Sequence, residues 1–234
     1  MYEISIRKRR KRAILNAENQ QVSKAVYTNN LYQMENLFKT GGIKREIIDH
    51  FIFYVESVEM LKLFLRFGGD MHKLGPPGFP HPITLLLFQS GGLGGEKITA
   101  RVKLVKFLIK EGVDVNGAYS DGVTPFFYCA QYGHSKLCKM LVERGADPHV
   151  TRSTDGATAL HMAAQNGNFD VCRYLVEDCG LDVNALTTDV FPKTPLYTAA
   201  GNGYMELCKY LLGKGAKVDK GTRPLIVAAQ VFQV

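Results

Sequence analysis

The chain has 234 residues, of which 46% are hydrophobic and 22% are charged. This length and composition allow a large buried core, and they exclude a disordered chain and a small disulfide-stabilised protein. No uninterrupted hydrophobic run exceeds five residues, as in Phe51 to Val55, which is far shorter than the roughly 20 residues of a membrane-spanning helix. No membrane insertion is therefore expected.

The formal net charge of +7 is concentrated near the N-terminus. Six basic residues form one uninterrupted run: Arg7, Lys8, Arg9, Arg10, Lys11 and Arg12. Without this run the charges nearly balance, since the chain holds 29 Lys and Arg against 22 Asp and Glu. The run is open to three interpretations: a solvated segment, a nuclear import signal, or an arm that binds nucleic acid or an anionic membrane. No secretory signal is visible, so a cytoplasmic or nuclear location, or both, is expected.

A repeated apolar pattern runs along the chain after this segment. In five of six copies two apolar doublets lie four residues apart and are followed by a glycine, as in Leu137-Cys138 and Leu141-Val142 before Gly145; the first copy has Gln33 before Met34 in place of its first doublet. Spacing of this kind forms one stripe of an α-helix, and glycine favours the left-handed conformation that ends a helix. The pattern predicts a series of similar striped helices.

A second pattern precedes three of the striped helices, over residues 124–130, 158–164 and 194–200. Each segment begins with Thr, continues with Pro or Ala, and ends with small residues. Thr can cap a helix, Pro suits the first helical position, and small residues allow two helices to approach closely. Each segment is therefore predicted to form a short helix that packs against its neighbours.

Together these residues resemble the ankyrin repeat, which combines a T-P-L-H-x-A-A helix, a Gly-His turn, a striped helix and a G-A-D-x-N connection. Residues 121 to 220 carry the pattern most fully. The resemblance implies an all-α fold, an α-solenoid of helix-turn-helix units joined by hairpin-like loops. It also implies that His161, on the T-P-L-H position, ties neighbouring loops by hydrogen bonds.

The predicted organisation is a basic leader at 1–20 and an ankyrin-repeat domain at 21–230. The predicted units are 21–42, 43–78, 79–120 with an insertion at 89–101, 121–154, 155–188, 189–220 and an incomplete unit at 221–234. The insertion is rich in glycine and is expected to form a flexible loop. The incomplete unit is expected to expose apolar surface, which favours self-association at this end, coverage by another chain, or truncation.

Catalytic, cofactor and metal sites are not predicted. The five cysteines contain no C-x-x-C pair, and the histidines show no zinc-ligand spacing. One column of the striped helices holds three of the thiols, which we expect to pack as small hydrophobic side chains: Cys138, Cys172 and Cys208. Cys129 is expected in the core as well, and Cys179 in a loop.

The predicted function is protein recognition on the concave face of the repeats, as an adaptor or scaffold that performs no chemistry. The solvent-facing positions of the first helices and turns define the candidate partner-binding residues: Tyr119, Asp121, Tyr128, Gln131, Tyr132, Arg152, Asp155, Gln165, Asn166, Asp189, Phe191, Lys193 and Asn202. Aromatic and arginine side chains dominate many interfaces, so Tyr119, Tyr132, Arg152 and Phe191 are the predicted anchors.

Two alternative functions remain open at this point. One is a nucleic-acid or chromatin-associated protein that uses the basic leader. The other is a regulatory ankyrin domain cut from a larger enzyme, ligase adaptor or channel. The resemblance also implies a modification, because ankyrin repeats are substrates of an asparaginyl hydroxylase; Asn116 and Asn184 fit the L-x(7)-N pattern, the second with its leucine shifted by one residue.

Overall fold

The structure, a computed structural model, describes residues 19–41, 43–44, 47–48, 51, 54–70, 82–88, 95–118 and 121–221. Within these ranges the chain is helical with short connections and has no β-strand; one isolated bridge pairs Thr151 with Thr158. The helices are α1 (19–27), α2 (Leu31–Lys39), α3 (Val58–Arg66), α4 (Pro82–Phe88), α5 (Gly95–Lys110), α6 (Pro125–Gln131), α7 (Ser135–Glu143), α8 (Ala159–Gln165), α9 (Phe169–Glu177), α10 (Pro195–Gly201) and α11 (Met205–Gly213). The predicted all-α class is confirmed.

The described residues form two compact units, divided between Val113 and Asp114. Unit 1 contains α1 to α5, and unit 2 contains α6 to α11. The division lies inside the predicted unit 79–120. In unit 2 the helices alternate between a first helix (α6, α8, α10) and a second, striped helix (α7, α9, α11), and the first helices pack side by side.

Each first helix of unit 2 begins at a threonine cap, as predicted. Thr124, Thr158 and Thr194 have extended backbones, and each side-chain oxygen accepts a hydrogen bond from the backbone N–H three residues later. Pro125 and Pro195 follow two of these caps, at a position where the helix needs no N–H donor. The start of each first helix is therefore determined by local hydrogen bonding.

The turn between the two helices of a repeat is a contact point with the next repeat. The side chain of Asn168 donates hydrogen bonds to the carbonyl oxygens of Ala130 and Gln131, at 2.9 and 2.8 Å. Gly133 in this turn has φ +75°, and a Cβ atom there would lie 2.7 Å from Oδ1 of Asn168. The glycine is thus required by its backbone conformation and by the close approach of Asn168.

The predicted cysteine column lies in the core. Cys138, Cys172 and Cys208 have no exposed surface, and they stand beside the buried leucine or valine of the same doublet. Cys129 on α6 is also fully buried, whereas Cys179 is half-buried. The prediction that Cys129, Cys138, Cys172 and Cys208 pack as small side chains in the core is confirmed.

Unit 1 has the striped helices α2 and α3 without the threonine caps of unit 2. Phe38 on α2 packs edge-to-face on Phe64, with ring centroids 5.3 Å apart, and stacks on Phe67 at 4.5 Å. Ser57 caps α3, and its hydroxyl donates to Oδ1 of Asn29 at 2.7 Å. Aromatic packing therefore joins α2 to α3, and the Ser57–Asn29 bond joins the start of α3 to the turn before α2.

The predicted loop at 89–101 is wrong in its C-terminal half, because α5 begins at Gly95 and runs to Lys110. Residues 96–101 contain no proline, and they continue the helical register of the stripe at Leu104 and Leu108. Extending the helix satisfies their backbone groups, whereas a loop would leave these groups to water. Residues 89–94 of the insertion, residues 1–18 of the leader and residues 222–234 of the last unit lie outside the described ranges.

Candidate functional site

The turn tips of unit 2 are joined to one another by backbone hydrogen bonds. The N–H of Ser153 donates to the carbonyl oxygen of Asp121 at 2.8 Å, and the N–H of Thr188 donates to that of Asp155 at 2.7 Å. The carboxylates of Asp121 and Asp155 each accept a bond from the N–H two residues later, both at 3.1 Å. Asp121 and Asp155 therefore stabilise the turns in which they lie, next to the other candidate partner-binding residues.

Arg152 and Asp155 form a two-point ion pair within one turn. Nε of Arg152 donates to Oδ1 of Asp155 at 2.9 Å, and Nη2 donates to Oδ2. Hydrogen bonding to Arg152 lowers the pKa of the Asp155 carboxyl, and hydrogen bonding to Asp155 raises the pKa of Arg152. The predicted anchor Arg152 thus has an internal partner, and a bound protein would meet the pair rather than an isolated guanidinium.

An aromatic pair lies on α6 and its C-terminal cap. The rings of Tyr128 and Tyr132 are stacked, with centroids 6.0 Å apart and planes 12° from parallel. Both residues are half-buried, and burial raises the pKa of the Tyr132 phenol. The Tyr132 hydroxyl therefore stays protonated at neutral pH and can donate a hydrogen bond to a partner.

The candidate asparagines on the next two first helices are bonded to their own helices. Nδ2 of Asn166 donates to the carbonyl oxygen of Met162 at 2.9 Å, and Nδ2 of Asn202 donates to that of Thr198 at 2.7 Å. Both asparagines are exposed. One N–H of each amide is engaged in this bond, which fixes the side chain; its Oδ1 and second N–H are available to a partner at the surface.

The two candidate glutamines have free amide groups. The side chains of Gln131 and Gln165 make no hydrogen bond within the part of the chain that the structure describes. Together with the tyrosine pair and the two asparagines they form what we call the first-helix face: Tyr128, Gln131, Tyr132, Gln165, Asn166 and Asn202. The helices α6, α8 and α10 and their C-caps contain no Asp, Glu, Lys or Arg, whereas α7, α9 and α11 each carry both signs of charge.

The turn before α10 holds apolar side chains in water. Val190 and Phe191 are 88% and 59% exposed. The N–H of Thr187 donates to the carbonyl oxygen of Lys193 at 3.0 Å, and the N–H of Lys193 donates to Oγ1 of Thr187 at 2.8 Å. Nζ of Lys193 lies 3.8 Å from Oδ2 of Asp189. These bonds close the turn, so presenting Phe191 to a partner requires little further loss of conformational entropy.

Sequence reasoning selected Phe191 in this turn but missed Val190 and Leu186. Leu186 is 39% exposed, and Val190 is the most exposed large apolar residue among the described residues. The missed signal was available, because the turn is longer than that of its neighbour and Val190 directly precedes Phe191. We call Leu186, Val190 and Phe191 the apolar tip.

His161 bridges two turns, as the resemblance implies. Its Nδ1 lies 3.2 Å from the backbone N of Thr158, and its Nε2 lies 3.0 Å from the carbonyl oxygen of Lys193. A backbone N–H can only donate and a carbonyl can only accept, so Nδ1 is the acceptor and Nε2 carries the hydrogen. Burial lowers the pKa of His161, which favours this neutral form.

Asn116 and Asn184, the predicted hydroxylation sites, each make the same two-point contact with the next repeat. Nδ2 of Asn184 donates to the carbonyl oxygen of Gly215 at 2.9 Å, and its Oδ1 accepts a bond from the N–H of Lys217 at 2.8 Å. Nδ2 of Asn116 donates to the carbonyl oxygen of Gly145 at 2.9 Å, and its Oδ1 accepts a bond from the N–H of Asp147 at 3.2 Å. In the folded chain both side chains therefore act as links between repeats.

Some predicted residues lie outside the described part of the chain: Tyr119 and the basic run Arg7, Lys8, Arg9, Arg10, Lys11 and Arg12. Within the described part, no three His, Cys, Asp or Glu side chains are grouped so that they could hold a metal ion. The helices of that part are too short or too polar to traverse a lipid bilayer.

Comparison with known families gives two overlapping matches. The family described as "Ankyrin repeats (3 copies)" matches residues 97–187, and "Ankyrin repeats (many copies)" matches residues 167–212. The chain is an ankyrin-repeat protein. Its helices are those of an all-α ankyrin solenoid, as predicted, and ankyrin repeats in general bind other proteins and do not catalyse reactions.

Relatives of this ankyrin-repeat protein carry the repeat in different settings. The chain is 30% identical over 90 residues to an ankyrin repeat and KH domain-containing protein of Caenorhabditis briggsae, a match to 38% of this chain and 3% of the relative. It is 39% identical over 61 residues to a palmitoyltransferase of Lachancea kluyveri, a match to 26% of this chain and 8% of the relative. It is 37% identical over 46 residues to the ankyrin repeat domain-containing protein oryK of Aspergillus oryzae, a match to 20% of this chain and 7% of the relative. The chain thus spans less than a tenth of the length of each of these relatives.

Proposed function

We propose that this ankyrin-repeat protein is a non-catalytic adaptor or scaffold that binds an uncharged segment of a partner protein on the first-helix face and the apolar tip. One observation carries the proposal. The solvent-facing side chains of α6, α8 and α10 are all aromatic, amide or small, whereas α7, α9 and α11 each carry charged side chains. Such a face stabilises a partner by stacking and hydrogen bonding rather than by ion pairing.

The chemistry of the first-helix face limits what the partner segment can carry. The stacked rings of Tyr128 and Tyr132 offer a flat apolar platform, and the free amides of Gln131 and Gln165 can both donate and accept hydrogen bonds. A charged side chain placed here would lose water without meeting an opposite charge. An extended segment with exposed backbone amides and apolar side chains fits this face.

The apolar tip supplies the anchor in this proposal. Phe191 and Val190 are held out by a closed turn whose two charged residues, Asp189 and Lys193, neutralise each other. Burying a phenylalanine side chain stabilises a complex by about 1.5–3 kcal/mol, which is the size of a strong interface contact. We therefore expect Phe191 to enter an apolar pocket of the partner.

The test compares proximity labelling in cells for the intact chain and two variants. The first variant carries Tyr128→Ala, Gln165→Ala and Phe191→Ala. The matched control carries Arg173→Ala, Lys209→Ala and Glu206→Ala on the exposed side of the second helices. Loss of the same set of labelled proteins in the first variant but not in the control, with the two variants equally helical, supports the proposal. Identical labelling patterns for the intact chain and the first variant would contradict it.

The basic run at 7–12 favours a second candidate function, binding to nucleic acid or chromatin, or nuclear import. Six consecutive basic residues are the observation behind it. Affinity for a duplex that collapses between 50 and 200 mM salt, and that disappears when residues 7–12 are deleted, would support nucleic-acid binding. Loss of nuclear accumulation alone after the same deletion would instead support import.

We also propose Asn116 and Asn184 as substrates of the asparaginyl hydroxylase that the resemblance implies. Both side chains are bonded to the next repeat in the folded chain, so modification would require local opening of that contact. Incubation with the enzyme followed by peptide mass analysis tests the proposal. Modification should be faster at raised temperature, and an unchanged mass of both peptides under those conditions would contradict it.

A further inference from the structure

We propose that α5, in unit 1, docks an acidic segment of a partner protein along a row of exposed lysines. We call Lys103, Lys106 and Lys110 of α5, together with Lys62 of α3, the lysine row. All four are exposed. The row lies on striped helices of unit 1, whereas the first-helix face lies in unit 2, so this proposal does not depend on the proposed function.

The spacing of the lysine row follows the geometry of one helix. Lys103, Lys106 and Lys110 are separated by three and four residues, so they point to the same side of α5 within an arc of about 60° and span about 10 Å along its axis. Nζ of Lys62, on the neighbouring α3, lies 5.6 Å from the ring centroid of Phe107, which stands between Lys103 and Lys110 on that side. The four ammonium groups therefore belong to one surface.

The lysine row forms no ion pair with the carboxylates that the structure describes. In two of the three second helices of unit 2 the position that corresponds to Lys103 is acidic and pairs with the following cation: Asp170 with Arg173 at 3.2 Å in α9, and Glu206 with Lys209 at 2.9 Å in α11. In α7 it is Lys136. In α5 this position is a lysine, and Lys103, Lys106 and Lys110 form no ion pair with a carboxylate of the described residues.

The acidic residues near the row are largely engaged elsewhere. Glu35 pairs with Lys39 at 3.0 Å and with Arg66 at 3.8 Å, and Glu56 lies 3.9 Å from Arg101. Glu59 and Glu111 are the remaining exposed carboxylates on α3 and directly after α5. Two carboxylates against four lysines leave a local excess of positive charge, which repels itself and is relieved by an acidic partner.

A protein segment fits the row better than nucleic acid. Binding to a nucleic-acid backbone typically uses about 6–10 phosphate contacts, more than this row offers. The aromatic ring on this surface, Phe107, is half-buried beneath Lys62, so it offers no platform for stacking a base. Carboxylates spaced by three and four residues on a partner helix would match the lysine spacing directly.

The test measures binding of the full-length chain to a labelled helical peptide of Ala and Glu, with Glu spaced by three and four residues along one face. One variant carries Lys103→Gln, Lys106→Gln and Lys110→Gln. The control carries Lys136→Gln, Lys139→Gln and Lys209→Gln, which removes the same charge from exposed positions of α7 and α11. The basic run at 7–12 is present in every form, so it contributes the same binding to all of them and any difference between the two variants comes from the substituted lysines.

The row variant should bind the peptide about tenfold more weakly at low salt, and the control should stay within about twofold of the intact chain. Equal weakening in both variants would show a general effect of net charge and would overturn the proposal. Absence of binding by the intact chain would also overturn it. Tighter binding of a short RNA or DNA duplex, weakened more by the row variant than by the control, would replace it with a nucleic-acid surface.

Discussion

The ring of Tyr204 lies directly over the backbone of Gly167, where an added Cβ atom would meet Cε1 of the tyrosine at 2.5 Å. Gly167 has φ +67° and ends the turn between α8 and α9, whereas Tyr204 occupies the corresponding turn of the next repeat. Two repeats therefore touch at a point where only a glycine fits. The contact makes the stacking of repeats sensitive to a single methyl group.

Replacing Gly167 with alanine should lower the free energy of unfolding by at least about 1–2 kcal/mol from the left-handed backbone alone, with a further loss from displacement of Tyr204. The matched control is Gly213→Ala, at the end of α11, where a Cβ atom meets nothing within 4 Å and φ is ordinary. That change should raise stability by about 0.5–1 kcal/mol. Urea denaturation of both variants measures the difference, and equal midpoints would contradict the expectation.

The pKa of His161 is lowered by burial from its ordinary value of 6.5. The unfolded chain therefore takes up a proton before the folded chain as the pH falls, so the stabilising effect of neutral His161 is complete above about pH 6.5 and is lost in the window between 6.5 and the lower folded pKa. We expect His161→Gln to keep most of the stability at pH 7, since Gln at this position can also complete a capping box, and to reduce the loss on acidification.

Denaturant unfolding of the intact chain and of His161→Gln at pH 7 and pH 5 checks this expectation. The change in unfolding free energy per pH unit should be smaller in the variant, by up to about 1.4 kcal/mol per unit inside the window. An equal or steeper dependence in the variant would assign the acid sensitivity to other groups.

Asn184 joins two repeats by hydrogen bonds to Gly215 and Lys217, so its replacement with alanine should cost about 1–3 kcal/mol of unfolding free energy. Asn202→Ala is the control, because the amide of Asn202 bonds only to Thr198 within one helix and the residue is exposed. The Asn202→Ala substitution should lower the free energy of unfolding by less than about 0.5–1 kcal/mol. Thermal melts rank the two variants, and the reverse order would show that the inter-repeat bond adds nothing.

The thiols should differ in reactivity according to their burial. Burial raises the pKa of Cys172 to about 12 and also raises that of Cys208, and both side chains are fully buried. Cys179 also has a pKa raised by burial, but it is partly exposed. Iodoacetamide should therefore label Cys179 first and the buried thiols only on unfolding, as followed by peptide mass analysis. Labelling of Cys172 at the rate of Cys179 under native conditions would contradict this.

Helix starts and core positions could be predicted because their signals are local. Thr124, Thr158 and Thr194 cap their helices through atoms three residues away, and the cysteine column follows from helical periodicity alone. The start of α5 at Gly95 was missed because glycine suggests a loop, whereas the stripe that follows extends the helix backwards. The length of its turn signalled that Val190 is exposed, whereas the extent of that exposure depends on how the hydrogen bonds of Thr187 and Lys193 close the turn.

The amino-acid sequence by itself determined the ankyrin solenoid, since each repeat encodes its caps, its helical stripe and its terminating glycine within about 33 residues. Only the tertiary structure decided which surface groups remain available. Arg152 and Asp155 pair with each other, Asn184 is used by the next repeat, and Lys103, Lys106 and Lys110 have no carboxylate partner within the described residues. The physical reason is that a hydrogen bond or ion pair forms only where two groups lie within a few ångströms in the folded chain. The sequence pattern alone does not give these distances.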